Sequence, residues 1–175
     1  MLKRLDESWF DAIFDIMEEA FPWSERRTRE EQRALFSLME YEVYGWVEKD
    51  TLLAFLAAWN LDSIRFGEHL ATRKDQRNHH IGQKLFQAYE ELSKIPLVFE
   101  VELPDHALAR RRIGFYERLQ YHYYGDVEYY QGSFHEMATP QPLRLMMKNP
   151  HLSDGEVNRI IDLIYERVYR QARFF

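Results

Sequence analysis

A chain of 175 residues with 46% hydrophobic side chains suits one domain around a single core. The absence of cysteine excludes disulfides, thiolate metal sites and a cysteine nucleophile, and it fits a cytoplasmic protein. The net charge of −6 and the scattered basic residues do not favour a nucleic-acid partner, and no apolar run approaches the roughly 18 residues of a membrane span.

The first 72 residues predict a strand, two helices and then three consecutive strands. Apolar residues recur at helical spacing from Phe10 to Phe21, and Pro22 ends that pattern. Thr28 followed by Glu31 is the pattern of a capping box, which predicts a second helix that continues to residue 39. The predicted strands cover residues 2–5, 41–47, 52–59 and 64–72. The third of them is apolar throughout, as a central strand is.

From residue 73 onward, the pattern alternates between helix and strand. A polar segment precedes apolar residues at helical spacing from 81 to 92. The further predictions are a strand at 96–101, a helix at 108–119, and strands at 121–130 and 143–148. The order β-α-α-β-β-β-α-β-α-β-β indicates an α+β sandwich with about seven strands.

The last segment, 149–175, is predicted to be a separate helical extension of a domain that covers residues 1–148. Three prolines between residues 140 and 150 interrupt the chain before it, and Ser153 with Glu156 forms a second capping box. The apolar residues that follow form one broad helical face. Such a face can serve a homodimer or a partner helix, or it can pack on its own domain, as most amphipathic helices do.

A predicted strand, a polar loop and a helix start form a candidate phosphate site between residues 68 and 83. The first backbone N–H groups of a helix have no internal partner and lie at positive potential, which suits a phosphate or pyrophosphate. Gly82 lets the backbone approach a ligand closely. The chain has neither GxxxxGK[ST] nor GxGxxG, so P-loop and Rossmann sites are not supported. An ordinary strand–helix connection is the alternative.

The loop and helix start at 77–82, RNHHIG, are followed later by residues 115–121, FYERLQY. Together they resemble the GNAT N-acetyltransferases, many of which carry R-G-x-G-[IV]-G and then F-Y-x-[KR]-x-G-[FY]. The resemblance covers about residues 1–148. It implies the GNAT fold, with a mixed central sheet of about seven strands between helices. It also implies direct transfer of an acetyl group from acetyl-CoA to an amine, without a metal.

The resemblance also implies where coenzyme A binds. In such enzymes the pantetheine arm pairs with the backbone of the strand before the loop, and by position its partners here are Leu70 and Thr72. Backbone amides of the loop and the helix start hold the pyrophosphate, so side-chain identity can vary there. The predicted contacts are Arg77, Asn78, His80, Ile81, Gly82 and Gln83.

Three residues replace glycines of the family patterns, namely Asn78 and His80 in the loop and Gln120 in the second motif. Asparagine tolerates positive φ, and histidine is somewhat enriched there, so the turn can form. His80 is less suited than glycine to a close approach to a ligand. These replacements support the alternative function, a catalytically silent acyl-CoA-binding or sensor module. A further alternative is an interaction scaffold that works through its C-terminal helix.

Acyl transfer requires a deprotonated amine, a donor for the thioester oxygen and a proton for the leaving thiolate. The resemblance implies that Tyr116 is the general acid. Glu68 is the candidate base, acting directly or through water. Strand periodicity predicts that it shares a face with Phe66 and Leu70, where a carboxylate often has a raised pKa.

Several alternatives stay open for these residues. Tyr116 can be a core residue, Glu68 can pair with Arg65 or Arg111, and Glu100 or Glu102 can be the base. Adjacent histidines 79 and 80 cannot easily face one ion, so no metal is predicted. The tyrosines within 121–134 can line an acceptor pocket or form cross-strand pairs. The acceptor is a small-molecule or protein amine, and the acidic balance favours a cationic one.

Overall fold

A computed structural model describes residues 1–135 and 139–171 of the chain. The chain divides into two compact units, Met1–Ile95 and Pro96–Phe175. The helices are α1 (Phe10–Ala20), α2 (Arg29–Ala34), α3 (Ile81–Glu91), α4 (Ala107–Arg118) and α5 (Asp154–Ile164). The strands are β1 (Leu2–Leu5), β2 (Tyr41–Glu48), β3 (Thr51–Asn60), β4 (Arg65–Thr72), β5 (Leu97–Glu102), β6 (His122–Tyr123), β7 (Tyr129–Tyr130) and β8 (Pro142–Met147).

The first unit is built on an antiparallel sheet in the order β1-β2-β3-β4, which confirms the predicted run of three strands. Its central strand β3 is buried from residue 52 to residue 59 because both faces of the sheet are covered. On one face Tyr41 packs against Phe36, just after α2. On the other face Tyr44 packs against Tyr89 of α3.

A β-bulge in β4 changes which side chains share a face. Trp59 pairs with Phe66, whereas Ala57, two residues away on β3, pairs with His69. Three steps on β4 therefore match two on β3, and Glu68 is the extra residue. Beyond the bulge the alternation is inverted, so Leu70 lies on the opposite face from Phe66. The prediction that Glu68 and Leu70 share a face is therefore wrong.

The second helix begins as predicted and ends early. Thr28 Oγ1 accepts from the N–H of Glu31 at 3.3 Å, and the Glu31 carboxylate accepts from the N–H of Thr28 at 3.0 Å. This capping box satisfies two donors that the helix leaves open. Helix α2 stops at Ala34 and tightens into a 3₁₀ turn. Met39, predicted to lie on its apolar face, is 95% exposed.

In the second unit, β8 pairs antiparallel with β5 on one side, and both β6 and β7 also pair with β8. The prediction of one strand over 121–130 is wrong, and Tyr129 and Tyr130 lie opposite Leu143 and Pro142 rather than opposite other tyrosines. The chain turns between β6 and β7 because residues 124 and 125 form hydrogen bonds with other segments. Tyr124 donates its hydroxyl to the carbonyl of Asn149, and Arg144 Nε donates to the carbonyl of Gly125 at 2.9 Å.

The C-terminal helix α5 starts at the predicted capping box of Ser153 and Glu156 and continues into a wider turn, Tyr165–Tyr169. Tyr165 donates its hydroxyl to the carbonyl of Tyr130 at 2.5 Å, and Tyr169 donates to Glu100 at 2.7 Å. Its aromatic side chains thus contact the rest of their own unit. The proposed boundary at residue 148 stays a prediction, and residues 172–175 lie outside the described part.

Gln120, two residues after the end of α4, has a φ of 69°, where the family pattern has glycine. At the end of the helix, the N–H of Gln120 donates to the carbonyl of Glu117 at 2.9 Å. A left-handed residue with a Cβ costs about 1–2 kcal/mol, so Gln120→Gly is expected to stabilise the fold by about 1 kcal/mol. Urea unfolding measures this gain. Glu117→Gly, inside α4, is the matched control and is expected to lose about 1 kcal/mol.

Candidate active site

The loop before α3 takes the turn that the family pattern builds with glycines. Asn78 has a φ of 68° and His80 a φ of 59°. Both residues are exposed, so the left-handed backbone is not forced by burial of their side chains. The two replaced glycines therefore leave the path of the loop intact, at a cost of about 1–2 kcal/mol for each left-handed residue.

Helix α3 begins with open donors. Its N-cap, His80, makes no side-chain cap, and the first backbone hydrogen bond of the helix runs from Lys84 to the His80 carbonyl at 3.0 Å. Within the described residues, the N–H groups of residues 81–83 have no hydrogen-bond partner. A Cβ on Gly82 would lie 2.9 Å from Thr72 Oγ1, so the glycine also lets α3 approach β4.

The backbone of β4 carries hydrogen-bonding groups on the side that faces away from β3. Arg73 donates to the carbonyl of Leu53 at 2.9 Å, which makes this a bonded pair of the antiparallel ladder. Alternation along the ladder then directs the N–H and C=O groups of Leu70 and Thr72 away from β3. The carbonyl of Thr72 accepts instead from Arg77 Nε at 3.4 Å. This orientation is the one that pairing with a pantetheine arm requires.

Glu68 is held in a buried ion pair. Its Oε1 accepts from Arg27 Nη1 at 2.8 Å, and its Oε2 accepts from Trp59 Nε1 at 3.0 Å. Only 1% of its side chain is exposed, and the Arg27 guanidinium lies 5.7 Å from the Trp59 ring centre. Arg27 and Trp59 are thus the neighbours of Glu68 that sequence analysis missed. The proximity of Trp59 to Glu68 could have been predicted from the pairing of neighbouring strands. Arg27 is 41 residues away from Glu68 in the sequence, and no sequence pattern indicated their contact.

The expectation of a raised pKa for Glu68 is wrong. Burial raises its pKa, but the Arg27 charge, with smaller contributions from His69 and Trp59, outweighs burial and holds the pKa at about 2. The alternative that Glu68 pairs with an arginine is confirmed, but the partner is Arg27 and not Arg65 or Arg111. Arg65 instead donates to four carbonyls at and after the end of α3, as basic residues often do there. These carbonyls belong to Tyr89, Glu90, Ser93 and Ile95.

Tyr116 lies on α4 of the second unit and is 8% exposed. Its ring centre is 4.1 Å from that of Phe99 and 5.0 Å from that of Phe115. Burial raises the pKa of its hydroxyl to about 12, with Arg112 opposing the shift. The phenol therefore stays protonated at neutral pH. The packing also suits a core residue.

The two alternative candidate bases on β5, Glu100 and Glu102, form contacts within the second unit. Glu100 accepts from the hydroxyls of Tyr129 and Tyr169. Glu102 forms an ion pair with Arg112 at 2.6 Å. Neither contact resembles the buried ion pair of Glu68. The hydrogen bonds of Glu100 with Tyr129 and Tyr169 connect β5 to β7 and to the turn after α5.

Comparison with known proteins decides the family. Residues 10–121 match the model of the acetyltransferase (GNAT) family. The chain belongs to this family. It is therefore an acyltransferase, and the predicted GNAT fold is confirmed by solved structures of family members. GNAT enzymes use acetyl-CoA and act on amines. No functionally curated protein matches this GNAT sequence.

Solved structures resemble this GNAT chain over most of its length. A protein from Bacteroides thetaiotaomicron assigned to the GNAT acetyltransferases is 25% identical, with a TM-score of 0.90 over 98% of this chain and 99% of its own. The ribosomal-protein-S18-alanine N-acetyltransferase of Escherichia coli is 19% identical, with a TM-score of 0.65 over 87% and 95%. An aminoglycoside 6'-N-acetyltransferase complexed with coenzyme A is 15% identical, with 0.64 over 87% and 99%.

In residues 1–135 and 139–171 of this GNAT chain, no helix combines the length and the apolar character needed to cross a membrane. In the same residues, no three side chains of His, Cys, Asp or Glu lie together as a metal ion would require.

The lowered pKa of Glu68 makes the stability of this GNAT protein depend on pH. The carboxyl has a pKa of about 2 when folded and an ordinary value of 4.5 when unfolded. Its stabilising contribution is complete above pH 4.5 and is lost as the pH falls toward 2. This loss is expected to reach about 3 kcal/mol, from about 1.4 kcal/mol for each pKa unit.

Urea unfolding at pH 5.5 and pH 3 measures this dependence. Glu68→Gln is expected to remove most of the difference between the two pH values, whereas Glu91→Gln, at an exposed position, is expected to leave it unchanged. An equal acid sensitivity of the wild type and Glu68→Gln would show that the ion pair does not set the pKa.

Proposed function

We propose that this chain transfers an acetyl group from acetyl-CoA directly to an amine of a cationic acceptor. The observation that carries the proposal is the left-handed backbone at Asn78 and His80, which leads into the open N–H groups of α3. A pyrophosphate bound there accepts from backbone amides at the positive end of the helix. This geometry supports cofactor binding by the predicted contacts of residues 77–83, without the family glycines.

The pantetheine arm is proposed to lie along β4. The backbone groups of Leu70 and Thr72 point away from β3, so they are able to pair with the amides of the arm. Arg77, which donates to the Thr72 carbonyl at 3.4 Å, would give up this contact when the arm binds. The guanidinium is then free to turn toward the phosphates.

In the reaction, we propose that Glu68 helps to remove the proton from the amine and that Tyr116 donates to the leaving thiolate. A carboxylate with a pKa of about 2 is a weak base, so Glu68 acts with help from its neighbours and through water. No covalent intermediate is proposed, because the chain has no cysteine. The acceptor is a small-molecule or protein amine, and the net charge of −6 favours a cationic one.

Calorimetric titration with acetyl-CoA tests the proposal on a matched pair of variants. The wild type and His80→Gly are expected to bind one equivalent, because glycine accepts a φ of 59° without strain. His80→Val is expected to bind at least about 10-fold more weakly, because a β-branched residue resists this conformation. Circular dichroism checks that all three proteins are folded.

Release of free thiol in the presence of a panel of primary amines then tests transfer. Wild-type protein that binds acetyl-CoA but releases no thiol with any amine would favour the acyl-CoA sensor instead. Equal affinities of the two His80 variants for acetyl-CoA would show that the loop does not form the pyrophosphate-binding site. A homodimer through α5 and a cytoplasmic location stay predictions.

A further inference from the structure

The tautomer of His69 follows from its contacts. This residue is 3% exposed and lies directly after Glu68 in the bulge of β4. Its Nε2 is 3.0 Å from the carbonyl oxygen of Glu25. A carbonyl only accepts, so Nε2 carries the hydrogen, and in the neutral ring Nδ1 is left with a lone pair. Within the described residues this buried Nδ1 has no hydrogen-bond partner.

The open Nδ1 faces the Glu68 carboxylate. It lies 3.7 Å from Oε2, which also accepts from Trp59. A lone pair and a carboxylate oxygen repel each other in a buried site unless a proton lies between them. The arrangement is therefore complete when a proton lies between Nδ1 and Oε2 and strained when none lies there.

We propose that Glu68 and His69 act as a pair, and that this pair, rather than the carboxylate alone, accepts between Nδ1 and Oε2 the proton that the substrate ammonium must lose. This inference rests on the proposed function. Because both side chains are buried, the proton reaches them through water. His69 acts through Glu68 and is therefore a positioning residue.

The chemistry of the two groups explains why a pair is needed. An alkylammonium has a pKa of about 10, so transfer of its proton to a carboxylate with a pKa of about 2 is about 10⁸-fold uphill. Imidazoles in general have a pKa of about 6.5, which makes them about 10⁴-fold better acceptors than such a carboxylate.

The reaction balances with one proton released per turnover. The ammonium gives its first proton to the pair, and the freed lone pair of nitrogen forms the bond to the thioester carbon. The carbon–sulfur bond breaks with its electrons on sulfur, which takes one proton from solvent by way of Tyr116. Nitrogen loses its second proton to solvent, and the pair returns the first one to solvent.

The groups that face the pair set its response to pH. Arg27, from the segment before α2, donates to the far oxygen of Glu68, and the same segment supplies the Glu25 carbonyl. From β2, Tyr41 lies close enough that burial and the Glu68 charge together raise the pKa of its hydroxyl. Arg27 thus stabilises the charged carboxylate, and the proton is directed to the imidazole.

NMR of the full chain labelled with ¹⁵N at histidine tests the proton pair. The wild type is expected to show the Nε2–H tautomer for His69, with Nδ1 gaining and losing its proton as the pH changes. In Glu68→Gln the midpoint for Nδ1 is expected to fall by about one pH unit, because the negative charge is gone. His69→Gln identifies the signals. An Nδ1–H tautomer, or an unchanged midpoint in Glu68→Gln, would overturn the proposal.

The pH dependence of thiol release provides a second readout. His69→Gln keeps a donor for the Glu25 carbonyl but lacks the Nδ1 base, so kcat is expected to fall about 100-fold with an altered pH profile. The exposed His151→Asn is the control and is expected to change neither. A wild-type profile in His69→Gln would overturn the pair while leaving the acyl transfer intact. Wild-type protein without any thiol release would contradict the proposed function, and the NMR result would still decide the pair.

Discussion

Arg27→Met is expected to lower the free energy of unfolding by about 3–5 kcal/mol at neutral pH. The Arg27 side chain is 10% exposed and that of Glu68 only 1%. Methionine fills the space of the arginine stem but leaves the carboxylate buried without its counter-charge. Trp59 Nε1 still donates to Glu68 at 3.0 Å, but this contact brings no counter-charge. Urea unfolding followed by circular dichroism measures the loss.

A second substitution separates the charge from the packing. In the Arg27→Met background, Glu68→Gln removes the uncompensated charge and is expected to recover about half of the loss or more. Arg29→Met, which breaks an exposed pair with Asp11, is the control and is expected to cost less than about 1 kcal/mol. A loss for Arg27→Met no larger than that of the control would mean that the ion pair contributes little.

Local patterns in the sequence predicted the parts of this fold that local interactions determine. Both capping boxes form at the predicted residues, because their hydrogen bonds lie within one helical turn. The helix that begins at Ile81 and the turn at Asn78 and His80 also follow from a short motif. The family resemblance rested on these local features, and it led to the right fold.

Contacts between distant segments could not be predicted in this way. The bulge at Glu68 adds one residue to β4, and a register shift of one residue inverts every side chain that follows. Arg27 reaches Glu68 from another segment, and this charge reverses the expected direction of the pKa shift. The two short strands β6 and β7 depend on β8, which follows them in the chain.

Tyr116→Phe is expected to lower kcat about 100-fold while the free energy of unfolding changes by about 1 kcal/mol or less. Phenylalanine keeps the ring contacts with Phe99 and Phe115 and removes only the hydroxyl. The activity is thiol release from acetyl-CoA with the best amine of the panel. Tyr121→Phe, whose ring centre also lies near Phe99 at 4.9 Å, is the control and is expected to keep its rate.

The pH profile distinguishes a donor from a core residue. With a pKa of about 12, the wild-type hydroxyl stays protonated throughout the range in which the protein can be assayed, so its ionisation is not expected to limit the rate below about pH 11. Such a phenol stabilises the departing thiolate mainly by donating a hydrogen bond, because it is a weaker acid than a thiol. An unchanged kcat in Tyr116→Phe at every pH would leave Tyr116 with a packing role alone, and the thiolate would then take its proton from solvent.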